Sequence, residues 1–114
     1  MNTGHRLSSA DFRALRPTRR LQGSLFALSI APREKGPAWA TVVSKKVSKK
    51  AVARNLVKRR CRSILATELK KFREPRALIF TAKRGAAEAS FSETKKDIET
   101  LLERAGLRGT MLDT

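Results

Sequence analysis

Two spacings of apolar residues alternate along this chain and divide it into short strands and amphipathic helices. In Gln22–Ile30 every second position agrees in character, with Phe26, Leu28 and Ile30 on one face and Leu25, Ala27 and Ser29 on the other. A period of two predicts a strand. Trp39–Val47 repeats the pattern: Trp39, Thr41, Val43, Lys45 and Val47 share one side, and Ala40, Val42, Ser44 and Lys46 the other. Pro32, Gly36 and Pro37 between the two runs predict a turn, so the strands are expected to pair antiparallel. The period changes at Ala51, where Val57, Cys61, Ile64, Leu65, Leu69 and Phe72 fall at helical spacing. The second strand is expected to run directly into this helix. Ala77–Ala82 (ALIFTA) is almost continuously apolar, as an interior strand covered on both faces would be. Lys83, Arg84 and Gly85 close it, and Ala86–Ala89 reads as a loop.

Capping chemistry sets the ends of the helices. Ser8 with Asp11 three residues on forms a capping-box pattern, and Leu7 and Phe12 stand as its hydrophobic staple. Leu7–Arg16 (LSSADFRALR) is therefore expected to be a first helix, stopped by Pro17. Ser48 is the expected N-cap of the central helix. Ser90 and Glu93 form a second capping box; Thr94, Ile98, Leu101, Leu102 and Ala105 make the buried stripe of a last helix. Gly106 ends that helix in the left-handed conformation. The order is α-β-β-α-β-α: an α+β single domain over residues 1–114, ordered from about 6 to 107 with frayed ends.

Charge changes the picture from fold to partner. The 114 residues carry 26 Lys and Arg against 10 Asp and Glu, a formal net charge of +16, which calls for a polyanion. Nine of those cations lie in Ser44–Arg62 (SKKVSKKAVARNLVKRRCR), and no acid occurs between Glu34 and Glu68. On the helix Arg54, Lys58 and Arg62 stand at i, i+4 and i+8 and share a face, with Asn55 and Arg59 in a second row beside it. Lys49, Lys50 and Arg54 also crowd a helix start, where the dipole favours acids. A sequence that opposes its own stability in this way does so at a functional site, and free N–H groups beside fixed cations suit phosphate. The alternative is a solvated charged face. Such faces mix signs, as Lys95, Lys96, Asp97, Glu99, Glu103 and Arg104 do on the last helix, so nucleic-acid contact is the better reading of the central one.

Catalytic chemistry is scarce. One histidine, His5, and one cysteine, Cys61, build neither a metal cluster nor a Cys–His nucleophile, and there is no Gly-rich phosphate loop. The catalytic and metal-ligating sets are therefore empty, and no small-molecule substrate is expected. Cys61 lies on the apolar side of the basic helix and reads as core filler in a reducing cytosol. No apolar run approaches the ~18 residues of a spanning helix, and Met1–Arg6 lacks the apolar centre of a signal peptide. The expected location is the cytoplasm, with no membrane partner.

Val43–Arg62 closely resembles the Arg-Asn signature helix of the bacterial ribonuclease P protein subunit. RLSSADFRAL resembles that family's first helix, and ALIFTAKRGAAEASFSETKKDIETLL its last strand and helix, so the likeness covers roughly residues 6–105 in order and spacing. It implies a mostly antiparallel sheet whose strand–helix–strand crossover has the uncommon left-handed sense (ribosomal protein S5 domain 2-like). It also implies a catalytic RNA partner that binds Mg²⁺ and hydrolyses precursor tRNA to remove the 5′ leader. By the same resemblance Arg54, Asn55, Lys58, Arg59 and Arg62, approached by Lys45, Lys46, Lys49 and Lys50, would face that RNA. A cleft between sheet and first helix would hold the single-stranded leader, with Phe12 and Arg16 on one side and Phe26 and Leu28 on the neighbouring strand. Phe12 has a second reading, as the capping staple with Leu7.

Two departures from the family pattern stand out. Leu56 follows Arg-Asn where a basic residue is common, and the cleft lacks aromatics: Arg16 stands one turn after Phe12 and the chain has no Tyr. Stacking is worth roughly 1–3 kcal/mol per base, so leader binding is expected to lean on charge. The alternative function is a non-catalytic RNA-binding protein, such as a ribosomal protein or RNA chaperone. A DNA-binding protein is disfavoured because no helix-turn-helix partner immediately precedes the basic helix, and a protein-only nuclease by the missing carboxylate or histidine site.

Overall fold

The continuous apolar run at residues 77–82 becomes the central strand of a five-stranded sheet in the computed structural model, which describes residues 5–6, 16–33, 37–69 and 74–106. In chain order the elements are β1 (His5–Arg6), β2 (Arg19–Gln22), β3 (Phe26–Pro32), β4 (Ala38–Val42), α1 (Ala51–Glu68), β5 (Arg76–Ala82), a 3-10 turn (Arg84–Ala87) and α2 (Phe91–Ala105). Across the sheet the order is β1-β4-β5-β3-β2. The β1–β4 and β4–β5 pairs are parallel, while the longer β3–β5 ladder and the β2–β3 hairpin are antiparallel. Helix α1 is thus the crossover between two parallel neighbours, β4 and β5.

Residue size decides which face of the sheet is thick. Phe26, Leu28 and Ile30 of β3, Trp39 of β4 and Leu78 and Phe80 of β5 point one way, into a single buried cluster with Val57, Cys61, Ile64 and Leu65 of α1 and Ile98, Leu101 and Leu102 of α2. The other face carries no aromatic residue in these strands and is rich in Ala, Ser and Thr, and its rows follow the register. Ala31, Ala77 and Ala38 form a buried row; Ser29, Ile79 and Ala40 the next. Gln22, Ala27, Thr81 and Val42 form a third row across four strands, and there none is buried.

Several expectations change in three dimensions. The strands expected to pair, Gln22–Ile30 and Trp39–Val47, are separated by β5, whose apolar run pairs along all seven residues of β3 on one edge and all five of β4 on the other. The first run is two strands rather than one, broken at Gly23–Leu25, where Asp97 of α2 accepts from the backbone N–H of Ser24, Leu25 and Phe26 at 2.9, 3.0 and 3.0 Å. The second stops at Val42. Val43 is buried, Val47 packs partly against the core, and the lysines between them turn outward. The segment expected to be a loop at Ala86–Ala89 is partly the 3-10 turn. Of the expected first helix, residues 7–15, including Phe12, lie outside the described residues, as does Phe72.

The last helix matches its sequence signals closely. Ser90 Oγ accepts from the Glu93 N–H at 3.1 Å while Glu93 Oε1 accepts from the Ser90 N–H at 2.8 Å, and Gly106 caps the other end at φ 73°. No helix among the described residues is long and apolar enough to cross a membrane.

Candidate RNA interface

The basic approach to α1 is an ordered turn. Ser44 Oγ accepts from the Lys46 N–H at 3.3 Å and Ser48 Oγ from the Lys50 N–H at 3.2 Å, so the tandem Ser-Lys-Lys units each fold about their own hydroxyl. The Val47 N–H donates to the Ser44 carbonyl at 3.0 Å. Ser48, expected as the N-cap, serves this turn instead; the N-cap is Lys50, which offers no side-chain acceptor, and the first turn of α1 holds no acid. Unsatisfied N–H groups at that end and four exposed lysines, Lys45, Lys46, Lys49 and Lys50, therefore face the same solvent.

Hydrogen bonding divides the cations into two classes. Arg54 is half-buried and donates from Nη1 to the Ser48 carbonyl at 2.9 Å. Arg60, on the opposite flank of α1, donates to the Ala89 carbonyl at 2.6 Å. Arg19 reaches the carbonyls of Ala105 and Arg104 at the end of α2, Arg104 reaches the Gln22 carbonyl, and Lys83 the Gly23 carbonyl. These five bind the fold together. Lys58, Arg59 and Arg62 are exposed and hold no hydrogen bond or ion pair among the described residues, and Asn55 is exposed beside them. Lys58 and Arg62 flank Trp39 and Thr41 of β4 around a small cavity of about 20 Å³. The structure thus brings together the open row and the lysine turn, and sets Arg54 between them as a brace.

The leader-facing residues fall differently. Phe26 and Leu28 are 0% exposed beneath the two helices, so neither has surface to offer a ligand. This corrects their expected place in a cleft: alternation distinguishes two faces of a strand without saying which one the helices cover. The face turned away from α1 and α2 has its open row at Gln22, Ala27, Val42 and Thr81, with exposed Arg20 on the same face of β2. Sequence reasoning missed these residues; their small size, beside the large Phe26, Leu28 and Phe80, was the available signal. Arg16 is exposed just before β2.

Elsewhere the surface is less suited to phosphate. A groove of about 600 Å³ between the β2–β3 turn, the 3-10 turn and α2 is lined by three acids, Glu88, Glu93 and Asp97, against one cation, Lys96. Cys61 is fully buried, and that burial pushes its thiol up to about 12, with the Thr41 hydroxyl pulling the other way. It is inert packing at neutral pH. Among the described residues no three His, Cys, Asp or Glu side chains gather to hold a metal ion.

A family model described as Ribonuclease P matches residues 1–106. The chain belongs to the ribonuclease P protein family. A curated relative, the ribonuclease P protein component of Picosynechococcus sp., is 31% identical over 104 residues, covering 89% of this chain and 90% of its own. The solved ribonuclease P protein of Staphylococcus aureus superposes with a TM-score of 0.79 at 21% identity, over 92% of this chain and 98% of that one. That of Thermotoga maritima gives 0.71 at 20%, over 88% and 96%. At such identities the two structures speak for a shared ribonuclease P protein fold. Membership associates the chain with ribonuclease P, a tRNA-processing ribonucleoprotein.

Proposed function

We infer that this chain is the protein subunit of a ribonuclease P holoenzyme, working in the cytoplasm as a cationic clamp between a catalytic RNA and precursor tRNA. The observation that carries the reading is the continuous open surface of Lys45, Lys46, Lys49, Lys50, Asn55, Lys58, Arg59 and Arg62, without an acid among them. Two folded RNAs repel each other, and cations fixed on a helix and an ordered turn offset that repulsion without immobilising flexible chain on binding. Phosphate contacts give affinity and orientation without sequence choice, which suits an enzyme that acts on many precursors.

The 5′ leader lies along the open row of the sheet, over Gln22, Ala27, Val42 and Thr81, with Arg20 and Arg16 near its phosphates. Small side chains there leave room for a strand of RNA and supply no ring to stack on. Hydrolysis of the precursor depends on Mg²⁺ held by the RNA and substrate; this chain's part is to bind and orient.

The test is reconstitution with the catalytic RNA of the same organism at low Mg²⁺. Cleavage of precursor tRNA is stimulated by the protein, and the protein alone cleaves nothing. With about five phosphates neutralised, log affinity falls against log salt with a slope near −3 to −4. Lys58→Ala with Arg59→Ala lowers both slope and stimulation. A flat salt dependence, or cleavage by the polypeptide without RNA, would defeat the assignment.

A further inference from the structure

Val52 is 81% exposed and Leu56 is 38% exposed, one helical turn apart on α1, where the other exposed residues are cations, polar residues and the small Ala51 and Ala66. At about 100° per residue, Val52 points opposite Cys61, straight away from the core, and Asn55 and Arg59 fall within about 60° of it. A valine so placed adds nothing to folding, and it forms helix less readily than Ala, Lys or Arg would. The pair is a local exception to the way the rest of α1 divides apolar from polar positions.

Charge restricts what can cover the pair. A second copy of this chain would bring Lys49, Lys50 and Arg59 against cations of their own kind on a molecule of net charge +16. RNA reverses that sign. Its phosphates meet the surrounding cations, while the C–H groups of its riboses and base edges lie open beside the 2′-hydroxyls in the wide, shallow groove of an A-form helix and in unpaired loops.

We propose that Val52 and Leu56 form an apolar contact against the ribose and base-edge surface of the RNA that the α1 cations hold. The contact supplies a part of the affinity that salt does not screen, and it favours RNA segments whose sugars are exposed over those that present phosphate alone. This rests on the reading of α1 as the RNA-docking helix. It extends that reading from charge to shape.

Counterion release scales with the logarithm of salt concentration and burial of apolar surface does not, so slope and intercept separate the two. Binding of the full-length protein to the catalytic RNA is measured from about 0.1 to 1 M salt, for the native chain, Val52→Ala/Leu56→Ala, Lys58→Ala/Arg59→Ala and Leu56→Lys. The apolar double variant keeps its fold by circular dichroism and loses about ten-fold in affinity at every salt concentration, with an unchanged slope. The cationic double variant loses slope, by about 1.4, and approaches the native protein at high salt. Leu56→Lys gains slope and is weaker than native at high salt.

Native affinity in Val52→Ala/Leu56→Ala, with the native slope intact, would overturn this contact and leave the docking reading standing. A native protein with no slope would defeat the docking reading itself. A change in the mass of the RNA-free protein by light scattering on Val52→Ala/Leu56→Ala would assign the pair to a second copy instead and overturn the proposal.

Discussion

Arg54 donates from its guanidinium to the Ser48 carbonyl at 2.9 Å, so the first arginine of the basic signature holds the lysine turn from behind. Its charge sits half-buried between that turn and α1, while the fully open cations of α1 itself begin at Lys58. Removing it should act on four lysines at once. We expect Arg54→Ala to raise amide exchange at Val47 and Lys50 about ten-fold and to lower the salt slope by more than the ~0.7 of one phosphate. Arg59→Ala should lower the slope by about 0.7 alone and leave those amides unchanged. Identical behaviour of the two variants would make Arg54 a simple phosphate contact.

Asp97 plays the equivalent part on the other side of the fold. It accepts three backbone N–H groups from the β2–β3 turn, and the turn approaches so closely that a Cβ on Gly23 would stand 2.8 Å from Asp97 Oδ2 and 2.9 Å from the Phe26 carbonyl oxygen. Asp97→Ala should destabilise by about 3 kcal/mol, since hydrogen bonds to a charged acceptor are lost together. Gly23→Ala should cost about 1–3 kcal/mol through overpacking. Urea unfolding measures both, and the double variant should be less unstable than the sum because one partner of the clash is gone. Strict additivity would argue that the two residues do not meet.

The thiol of Cys61 gives a pH signature. Its ordinary value of 9.0 rises to about 12 in the folded chain, so the folded state favours the protonated form. The corresponding stability is complete below pH 9 and is lost as pH rises from 9 towards 12, at no more than about 1.4 kcal/mol per pH unit. Cys61→Ala should be less stable at neutral pH and should lack this part of the alkaline decline. Iodoacetamide should label the native thiol at pH 8 only as fast as the protein unfolds. Rapid labelling under native conditions would contradict the burial.

The two faces of the sheet should separate stability from leader recognition. Leu28→Ala is expected to cost about 2–5 kcal/mol and to lower the melting temperature. Thr81→Glu, on the open row, should change stability by less than about 0.5 kcal/mol. It should nonetheless weaken binding of precursor tRNA with a leader relative to the same tRNA without one, by placing a carboxylate against phosphate. An unchanged ratio of the two dissociation constants would remove the open row from the leader path.

The basic helix, the last helix with its capping box and left-handed glycine, and the central apolar strand were all legible because their signals are local: a period, a cap, an uninterrupted run. The burial of Cys61 on the inner side of the basic helix followed from the same periodicity. The hairpin break at Gly23 was not legible, because its cause, Asp97, lies in another element. Nor was the role of Arg54, which shares a spacing with Lys58 and Arg62 and differs from them only in what its guanidinium touches.

By itself the sequence determined that this chain folds as strands and helices around one apolar cluster, that it carries an unneutralised cationic helix, and which family it resembles. Tertiary structure alone decided that β5 separates β3 from β4, that Phe26 and Leu28 turn towards the helices, and which cations remain open. The physical reason is one of range. Periodicity, caps and charge counts are properties of neighbours along the chain, whereas pairing partners, the covered face of a sheet and the carbonyl a guanidinium reaches depend on residues brought together only by folding.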